Sequence, residues 1–328
     1  MKRILIVYNP RSSRYAEVKK EVLEPIHSLK GYIIGKYEVK PSNLDDNINN
    51  LSKLLKDGDL VISAGGDATC VIAANAILKS KKDVTLSVLP FGNFNDLART
   101  LGTNTLSEIL DTGGRNLSSE DRKLGRTALS VSEEDRFGQA PCQKLYPLEI
   151  WVDDKFFRYA TCYVTIGMTA SAVYLYDQPK MRKKLRTNFG RKISSYTELA
   201  KWYFKNRHKK QFLPEFTLNG VKQHPKTSDY AAVNGRSMAR VMKGGDDFLR
   251  PHHFRHETDR LTSFPRLAKL MIKSIFYRIP GTDTTGDTLE FTNPSIVELQ
   301  AEGEHTILKN IKKIEIKKGT KCLKVITN

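Results

Sequence analysis

Long hydrophobic runs are absent from this sequence of 328 residues. No stretch of 18 consecutive apolar residues occurs, so no segment has the length and character of a helix that crosses a bilayer. The apolar run behind the basic residues Lys2 and Arg3 covers four residues and turns polar at Asn9, which indicates an N-terminal strand and not a signal peptide. We therefore expect neither a transmembrane segment nor a secretory leader.

Cysteine is also scarce. The four cysteines, at positions 70, 142, 162 and 322, are widely separated and form no CxxC pair, so a disulfide framework is not expected. This usage favours a reduced, cytoplasmic location. His252, His253 and His256 cluster without a nearby cysteine or a well-spaced carboxylate, so we expect a surface loop there and not a metal centre.

The common nucleotide-binding fingerprints are missing. There is no GxGxxG, and residues 31–36 lack the Walker spacing and the Ser or Thr that follows its lysine. Instead, two other glycine-bearing turns each follow a short apolar strand and precede a helical pattern: turn A (residues 64–69) and turn B (residues 90–96). Backbone amides at such a strand, turn and helix junction bind phosphate. Two junctions in succession predict one polyphosphate site.

Negative charge is in short supply in the second part of the chain. The net charge is +18, of which residues 1–142 carry +2 and residues 143–328 carry +16. The densest basic stretch, residues 180–210, has twelve Lys or Arg, one acid, and interleaved aromatic side chains. Such a field attracts either an anionic bilayer or a nucleic acid backbone.

The order of elements predicts two domains. A strand at 4–8, an amphipathic stretch at 14–29, a strand at 32–39 and a helix at 43–56 precede turns A and B, and this alternation predicts an open, Rossmann-like sheet with ligands at the carboxyl ends of its strands. Residues 113–143 are polar and indicate a connector. We expect a nucleotide-binding α/β domain over residues 1–142 and a β-rich lipid-substrate domain over residues 143–328.

Short alternating runs after residue 144 indicate β structure. They predict a hairpin over 148–152 and 156–163 and further strands at 216–218, 230–233, 296–300, 311–316 and 322–326. Two helices interrupt this pattern. One begins at Ser195 with Glu198 three residues later, which is a capping box, and the other covers about 265–277.

The turns resemble the signatures of the diacylglycerol kinase catalytic family, within a superfamily that includes the sphingosine kinases and NAD kinases. Turn A contains GGDAT, similar to the family's GGDGT, and turn B begins the stretch PFGNFNDLART at residues 90–100, similar to PxGTxNDxAR. Residues 4–13 resemble the family's opening strand and NPxSG loop, and residues 299–304 resemble its late DGE motif. Residues 159–172 and 232–236 are similar to the start of its second domain and to its NG strand. The resemblance spans nearly the whole chain in family order.

This resemblance implies an α/β domain, a mainly β, sandwich-like second domain, and a lipid kinase that uses ATP and Mg2+ to phosphorylate a hydroxyl of a diacylglycerol-like or long-chain-base-like lipid. It implies catalytic carboxylates at Glu304, Asp67, Glu302 and Asp96, with Glu304 and Asp67 ranked above Glu302, and Mg2+ at Asp67 and Asp96. The implied nucleotide-binding residues are Asn9, Pro10, Ser12, Ser13, Gly65, Gly66, Asp67, Ala68, Thr69, Asn93 and Asn95.

Several positions depart from the family pattern. Ala68 and Ser13 replace glycines, Asn93 replaces Thr, and Glu302 replaces Asp, while Val and Ile follow turn A where the family has Asn-Glu. An added methyl at Ala68 crowds a phosphate or opposes a positive φ, whereas the Asn93 amide can still donate to phosphate. The family's acidic LDDG stretch aligns with residues 248–251, which carry no carboxylate, so its structural metal is not expected here.

Two alternatives stay open beside the lipid kinase. One is a nucleotide-binding pseudokinase that docks on a membrane or on nucleic acid. The other is an NAD kinase, which the missing Asn-Glu and the basic, aromatic second part disfavour. For the lipid kinase we expect a role in phospholipid metabolism, peripheral association with an anionic membrane surface at the inner face, and no nucleic acid partner. A homodimer is compatible with the sequence, which does not define the oligomeric state.

Overall fold

The computed structural model describes residues 2–29, 31–41, 43–102, 105–110, 142–176, 197, 200–202, 204–205, 212–238, 242–245, 247–260, 265–266, 268–269 and 281–327. Its backbone contacts divide the chain into two compact units. The first comprises Met1–Gly92, Leu101–Lys144 and Leu323–Asn328, and the second comprises Asn93–Thr100 and Leu145–Cys322. Compared with the predicted boundary after residue 142, most of turn B joins the second unit and the last six residues join the first.

The described part of the chain contains six α-helices and eighteen β-strands. The helices are α1 (Tyr15–Val18), α2 (Leu44–Leu54), α3 (Asp67–Ser80), α4 (Asp96–Leu101), α5 (Leu106–Leu110) and α6 (Met168–Tyr176). The strands are β1 (Lys2–Tyr8), β2 (Tyr32–Glu38), β3 (Leu60–Gly65), β4 (Thr85–Pro90), β5 (Cys142–Leu145), β6 (Leu148–Val152), β7 (Lys155–Ala160), β8 (Tyr163–Gly167), β9 (Phe216–Leu218), β10 (Val221–Lys222), β11 (Asp229–Val233), β12 (Ser237–Met238), β13 (Met242–Lys243), β14 (Phe254–Asp259), β15 (Thr282–Thr284), β16 (Gly286–Ala301), β17 (Glu304–Lys318) and β18 (Leu323–Ile326).

The first unit contains a six-stranded sheet in the order β2-β1-β3-β4-β18-β5. β1 runs parallel to β2 and β3, and β4 runs parallel to β3 and β18. Tyr8 lies opposite Ala64, and Gly65 lies opposite Pro90, so β1, β3 and β4 end at the same edge. The predicted Rossmann-like α/β domain is confirmed.

The helices of the first unit follow from local sequence signals. The Asn43 side chain accepts a hydrogen bond from the Asp46 amide at 2.7 Å, which caps α2, and Ile48 and Leu51 on its inner face are buried. The predicted helix at 43–56 is therefore confirmed. The amphipathic stretch at 14–29 is not one helix: α1 is followed by a π-helical turn at Lys19–Leu23 and a 3-10 turn at Pro25–Ser28, where proline removes a backbone donor.

The strand predicted at 322–326 is correct, but its placement in the second domain is wrong. β18 pairs with β4 in parallel, with Lys324 opposite Thr85 and Val325 opposite Leu86. Leu323 and Val325 are fully buried, so the first sheet gains two apolar side chains from the end of the chain. A parallel partner more than 200 positions away leaves no local signal in the sequence.

The second unit is mainly antiparallel β structure, which confirms the predicted fold class. Its strands form a ten-stranded sheet in the order β15-β14-β11-β8-β16-β17-β6-β7, with β9 pairing with β16 and β10 with β9. Every pair described in this sheet is antiparallel. The inner face of the sheet forms one apolar core, which includes Tyr230, Phe254, Leu299 and Ile314.

Some predicted features fall mostly outside the described residues. These are the connector at 113–143, the basic stretch at 180–210, and the helices near 195 and at 265–277. Among the helices in the described part of the chain, none has both the length and the apolar character needed to cross a bilayer.

Candidate functional site

Three loops follow β1, β3 and β4 at one edge of the first sheet, and hydrogen bonds join them. The Phe91 amide donates to the Gly65 carbonyl at 3.0 Å, and the Ser12 hydroxyl donates to the Phe91 carbonyl at 3.1 Å. The Arg14 guanidinium donates to the Pro90 carbonyl at 2.7 Å. These bonds bring the opening loop, turn A and the start of turn B together, as the sequence predicts for a phosphate site.

The opening loop is shaped by its own side chains. The Asn9 side-chain oxygen accepts from the Arg11 amide at 2.9 Å, and the Asn9 carbonyl accepts from the Ser12 amide at 3.0 Å. Asn9 and Ser12 therefore hold the loop that contains Pro10, and Ser13 lies half-buried beside them. The four residues predicted for this loop therefore lie together, and two of them, Asn9 and Ser12, form hydrogen bonds with other protein atoms.

Turn A provides a close backbone approach. A Cβ atom on Gly66 would lie 3.2 Å from the Cα of Gly92, and one on Gly65 would lie 2.4 Å from the Thr69 hydroxyl oxygen. A side chain at Gly65 would therefore collide with Thr69, and one at Gly66 would require the backbone to move by a few tenths of an ångström. Gly66 precedes α3 and has no side chain to cap it, so the start of this helix of 14 residues is a place where phosphate fits.

The first turn of α3 separates the predicted residues of turn A into two groups. The amides of Thr69 and Cys70 donate to the Gly66 carbonyl at 3.0 and 3.2 Å, so an anion can use only the amides that precede them. Thr69 is buried, whereas Asp67 and Ala68 are partly exposed. Ala68 is helical and is not among the residues with positive φ, so of the two effects considered for its methyl group, crowding of a phosphate stays a prediction.

The part of turn B that belongs to the second unit is more buried than its sequence suggests. Asn95 has a left-handed φ of 55°, and its carbonyl accepts from the Arg99 amide at 3.1 Å at the start of α4. Asp96 is 1% exposed and forms an ion pair with Arg99. A carboxylate that is buried and paired in this way is a poor fit for Mg2+. Asn93 stays partly exposed.

The late acidic motif is a hairpin turn. Ala301 of β16 lies opposite Glu304 of β17, and the two residues between them have φ values of 52° at Glu302 and 89° at Gly303, as in a type I′ turn. Glu302 is 4% exposed, and its Oε1 accepts hydrogen bonds from the Thr161 hydroxyl and the Cys162 amide. Glu304 is partly exposed. Glu302 thus anchors the turn, and Glu304 lies at its end.

Asn234 is a buried polar residue for which the sequence predicted no role. Its side-chain amide donates to the Thr161 carbonyl at 2.7 Å and to the Tyr146 carbonyl at 2.9 Å, while its backbone amide donates to the Cys162 carbonyl at 2.7 Å. Thr161 and Cys162 are therefore bound by Asn234 on one side and by Glu302 on the other. The NG resemblance was the only signal of this residue.

The turn B segment is connected to the same region of the second unit. The Arg236 amide donates to the Thr100 hydroxyl at 3.3 Å, and the Thr100 hydroxyl lies 4.0 Å from the Cys162 sulfur. Helix α4, which directly follows turn B, is thus joined to the Glu302 turn, about 200 residues later in the chain, through Thr161 and Cys162.

The histidine cluster was expected in a surface loop, and His256 departs from this expectation. His256 lies in β14, and its Nδ1 is 2.7 Å from Asp287 Oδ2, which also accepts from the Tyr230 hydroxyl at 2.7 Å. Burial raises the pKa of Asp287, but the contacts with His256 and Tyr230 outweigh it, so this pKa lies below its ordinary value. His252 and His253 are exposed. Within the described residues, no group of three potential ligands forms a metal site.

A known protein family matches the first part of the chain. Residues 3–120 match the family model of the diacylglycerol kinase catalytic domain. This segment belongs to that family.

Two proteins named diacylglycerol kinase align with part of the chain. The one from Bacillus subtilis (strain 168) is 35% identical over 106 residues, 31% of this chain and 34% of that protein. The one from Staphylococcus carnosus (strain TM300) is 31% identical over 102 residues, 30% and 33% of the two lengths. The chain thus spans about a third of the length of these relatives.

Solved structures extend the fold likeness beyond the diacylglycerol kinase segment. Structures from Bacillus anthracis str. Sterne, whose names contain diacylglycerol kinase, align with the whole chain. One has a TM-score of 0.62 and 13% identity, with 100% of this chain and 97% of that chain covered. Another has a TM-score of 0.57 at 13% identity and the same coverage. At this identity the likeness concerns the fold alone.

Proposed function

We propose that this protein is an ATP-dependent lipid kinase that transfers the γ-phosphate of ATP to a hydroxyl of a diacylglycerol-like or long-chain-base-like lipid. The observation that carries the proposal is turn A. It lies within the diacylglycerol kinase catalytic-domain segment, and Gly66 lies at the start of α3 with its Cβ position 3.2 Å from Gly92. Phosphoryl transfer requires mainly that the nucleotide phosphates are held and their charge is stabilised, which this turn is built to do.

ATP binds at turn A in this proposal. The backbone at Gly65, Gly66 and Ala68 holds the phosphates, and the opening loop covers them through Asn9, Pro10, Ser12 and Ser13. Asp67 is the carboxylate that fits Mg2+, because it is partly exposed and starts a helix whose first amides face a phosphate. Asn93 and Asn95 belong to the nucleotide-binding set through their amides, and Thr69 supports the turn from inside.

Glu304 is the carboxylate that we assign to the acceptor hydroxyl. It is partly exposed at the first position of β17, and a carboxylate can accept the proton that leaves a hydroxyl during transfer. Glu302 is the anchor of the turn in this assignment, since its carboxylate accepts two protein hydrogen bonds. Asp67 is the alternative base.

The membrane is the site of action in this proposal. Residues 143–328 carry a net charge of +16, which attracts the anionic inner face of a membrane. The protein then binds peripherally, meets its lipid there, and contributes to phospholipid metabolism from the cytoplasmic side. A homodimer is compatible with this role.

A nucleotide-binding pseudokinase is the second candidate. The observation that favours it is the state of two predicted catalytic carboxylates: Asp96 is ion-paired with Arg99, and Glu302 is held by Thr161 and Cys162. A protein that binds ATP in turn A but lacks a working base would have this appearance.

Transfer from γ-labelled ATP separates these functions. Wild-type protein is incubated with Mg2+ and with vesicles that contain diacylglycerol or a long-chain base, and with NAD in a parallel reaction. We expect label in a lipid. Label in NAD alone makes the protein an NAD kinase, and ATP binding without transfer to any acceptor makes it a pseudokinase. Absence of Mg2+-ATP binding at millimolar concentration contradicts the kinase and pseudokinase proposals together.

A further inference from the structure

Lys318 is a buried lysine at the end of β17. It contacts Asn234, one of the residues that bind the Thr161–Cys162 turn. It is 7% exposed. Its ammonium donates to the Asn234 side-chain oxygen and to the Asp247 carbonyl, the latter at 2.6 Å. Both hydrogen-bond acceptors are uncharged oxygens, and the Asp247 carboxylate acts on the lysine through space without a direct ion pair. Burying a lysine on such partners is costly compared with an apolar side chain of the same length, so its presence calls for a reason other than packing.

A continuous set of hydrogen bonds leads from Lys318 to the Glu302 turn. Lys318 binds the oxygen of the Asn234 side chain, and thereby orients the amide nitrogen that donates to Thr161. Thr161 and Cys162 then donate to Glu302. We call these five residues the polar clamp: Lys318, Asn234, Thr161, Cys162 and Glu302.

The Glu302 turn needs such a clamp. Glu302 has a φ of 52°, a left-handed conformation that a non-glycine residue adopts only when its surroundings hold it. The hydrogen bonds of the buried Glu302 carboxylate hold the residue in this conformation. If the carboxylate loses its donors, the turn is free to relax and Glu304, two residues later, shifts with it. A displacement of about 1 Å in a catalytic group lowers a rate on the order of a hundredfold.

We propose that Lys318 and Asn234 are positioning residues that act through Thr161 and Glu302 to set the place of Glu304. This proposal rests on the proposed kinase function, in which Glu304 meets the acceptor hydroxyl. Burial lowers the pKa of Lys318 from 10.5 to about 7, although the Asp247 carboxylate acts to raise it. The neutral amine that this allows still donates to both oxygens.

The test compares Lys318→Met with Lys317→Met. Lys317 is the adjacent residue on β17, is 46% exposed and lies outside the polar clamp, so it controls for loss of one lysine from this strand. In the clamp variant we expect kcat to fall at least about tenfold while the KM for ATP stays within about twofold, because ATP binds at turn A in the first unit. The control keeps the wild-type kcat.

A second pair of variants keeps the test valid if Lys318→Met does not fold. Thr161→Val removes the hydroxyl that donates to Glu302 and preserves the shape of the side chain, whereas Thr161→Ser keeps the hydroxyl. We expect the valine variant to lose kcat like Lys318→Met and the serine variant to retain it. Wild-type kcat in folded Lys318→Met and Thr161→Val overturns the proposal.

Hydrogen exchange distinguishes failure of this proposal from failure of the proposed function. Amide exchange in a peptide that covers residues 299–306 is measured in the four variants. Faster exchange in Lys318→Met and Thr161→Val, but not in Lys317→Met or Thr161→Ser, is expected even if no lipid is phosphorylated. If wild-type protein transfers no phosphate, the kinase function fails, and exchange still decides the clamp. Unchanged exchange in both clamp variants overturns it.

Discussion

At the scale of single residues, Asp67 is the carboxylate on which the nucleotide assignment depends most. Asp67→Asn keeps the size of the side chain and removes its charge. Because the proposed function assigns both Mg2+ and the transferred phosphate to that charge, we expect turnover to fall by about a hundredfold or more. The measurement is lipid phosphorylation at saturating ATP, with thermal unfolding to confirm that the variant folds.

The matched control for Asp67 is Asp45→Asn. Asp45 lies in the first turn of α2, as Asp67 lies in the first turn of α3, so both substitutions remove one favourable interaction with a helix dipole, worth about 0.3–1 kcal/mol. The control variant should keep its turnover. Similar activity in the two variants removes Asp67 from the catalytic set.

Glu302 and Glu304 should differ in what they contribute, although they are two residues apart. Glu302→Gln loses the charge that accepts from Thr161 and Cys162, so we expect the free energy of unfolding to fall by about 1–3 kcal/mol. Glu304→Gln should leave it within about 0.5 kcal/mol and lower turnover at least about tenfold. Denaturant titration and kinetics on both variants measure this. Full activity of Glu304→Gln removes Glu304 from the catalytic set.

At the scale of elements, the close approach of turn A to Gly92 gives a prediction about ATP binding. Gly66→Ala adds a Cβ atom 3.2 Å from the Gly92 Cα, and backbone on both sides must move a few tenths of an ångström to admit it. We expect the affinity for ATP to fall about tenfold with little change in the fold. Titration with Mg2+-ATP measures the loss.

Gly286→Ala is the control for this loop change, because its Cβ would meet its nearest neighbour, the Ile316 carbonyl oxygen, at an ordinary 3.6 Å. It should bind ATP like wild type. If Gly66→Ala does so as well, the phosphates do not bind at the start of α3.

The start of α6 predicts a pH dependence of stability. The buried Asp229 carboxylate accepts from the Thr169 amide at 3.1 Å and from the Thr169 hydroxyl, and burial raises the pKa of Asp229 from 3.8 to about 7. The folded protein keeps this proton where the unfolded chain has lost it. The contribution to stability is therefore complete below pH 3.8 and is lost as the pH rises through about 7.

Asp229→Asn tests this dependence without a titrating group, since the asparagine oxygen can accept from the Thr169 amide and its NH2 group can donate to the Thr169 hydroxyl oxygen. We expect the free energy of unfolding of wild type to lose about 1.4 kcal/mol for each unit by which this pKa is raised, and the variant to lose less between pH 4 and 7. Denaturant unfolding at several pH values measures the slopes. Equal slopes show that Asp229 titrates normally.

At the scale of the whole molecule, the uneven charge predicts binding to anionic membranes. The second part of the chain carries +16 of the +18 net charge, and each basic residue near an anionic surface contributes about 1 kcal/mol. We expect flotation with vesicles that contain anionic lipid, loss of this binding as salt increases, and little binding to neutral vesicles.

Nucleic acid is the competing partner for the same charge. Its outcome in the flotation experiment is distinct: no preference for anionic vesicles, together with tight binding to DNA or RNA at physiological salt. Charge reversal at Lys183, Lys184 and Arg186, which lie in the basic stretch at 180–210, should reduce lipid phosphorylation if the membrane is the partner.

Much of the first unit could be predicted because its signals are local. β3 is a run of apolar residues bounded by glycine, α2 has an asparagine cap and an apolar face, and turns A and B have recognisable spacing. Strand, helix and turn at a parallel sheet edge then bring the loops together whatever the rest of the chain does. The opening loop, turn A and the start of turn B were found in this way.

The polar clamp could not be predicted, because no local sequence pattern indicates that its polar side chains are buried. Lysines in a basic strand are normally exposed, and Lys318 follows Lys317 with no difference in its neighbourhood that sequence reveals. Glu302 reads equally as a hairpin residue or a catalytic acid. The tertiary structure shows that its carboxylate faces inward, through its burial and its hydrogen bonds with Thr161 and Cys162.

Periodicity and backbone freedom within a few residues were enough to predict the α/β character of the first unit, the β character of the second and the positions of the glycine turns. The tertiary structure decided where β18 pairs, which of two nearby glutamates is buried, and that Asp96 is ion-paired with Arg99. Such choices depend on contacts between residues far apart in the chain, and the energy of a buried charge is set by the neighbours that the complete fold supplies.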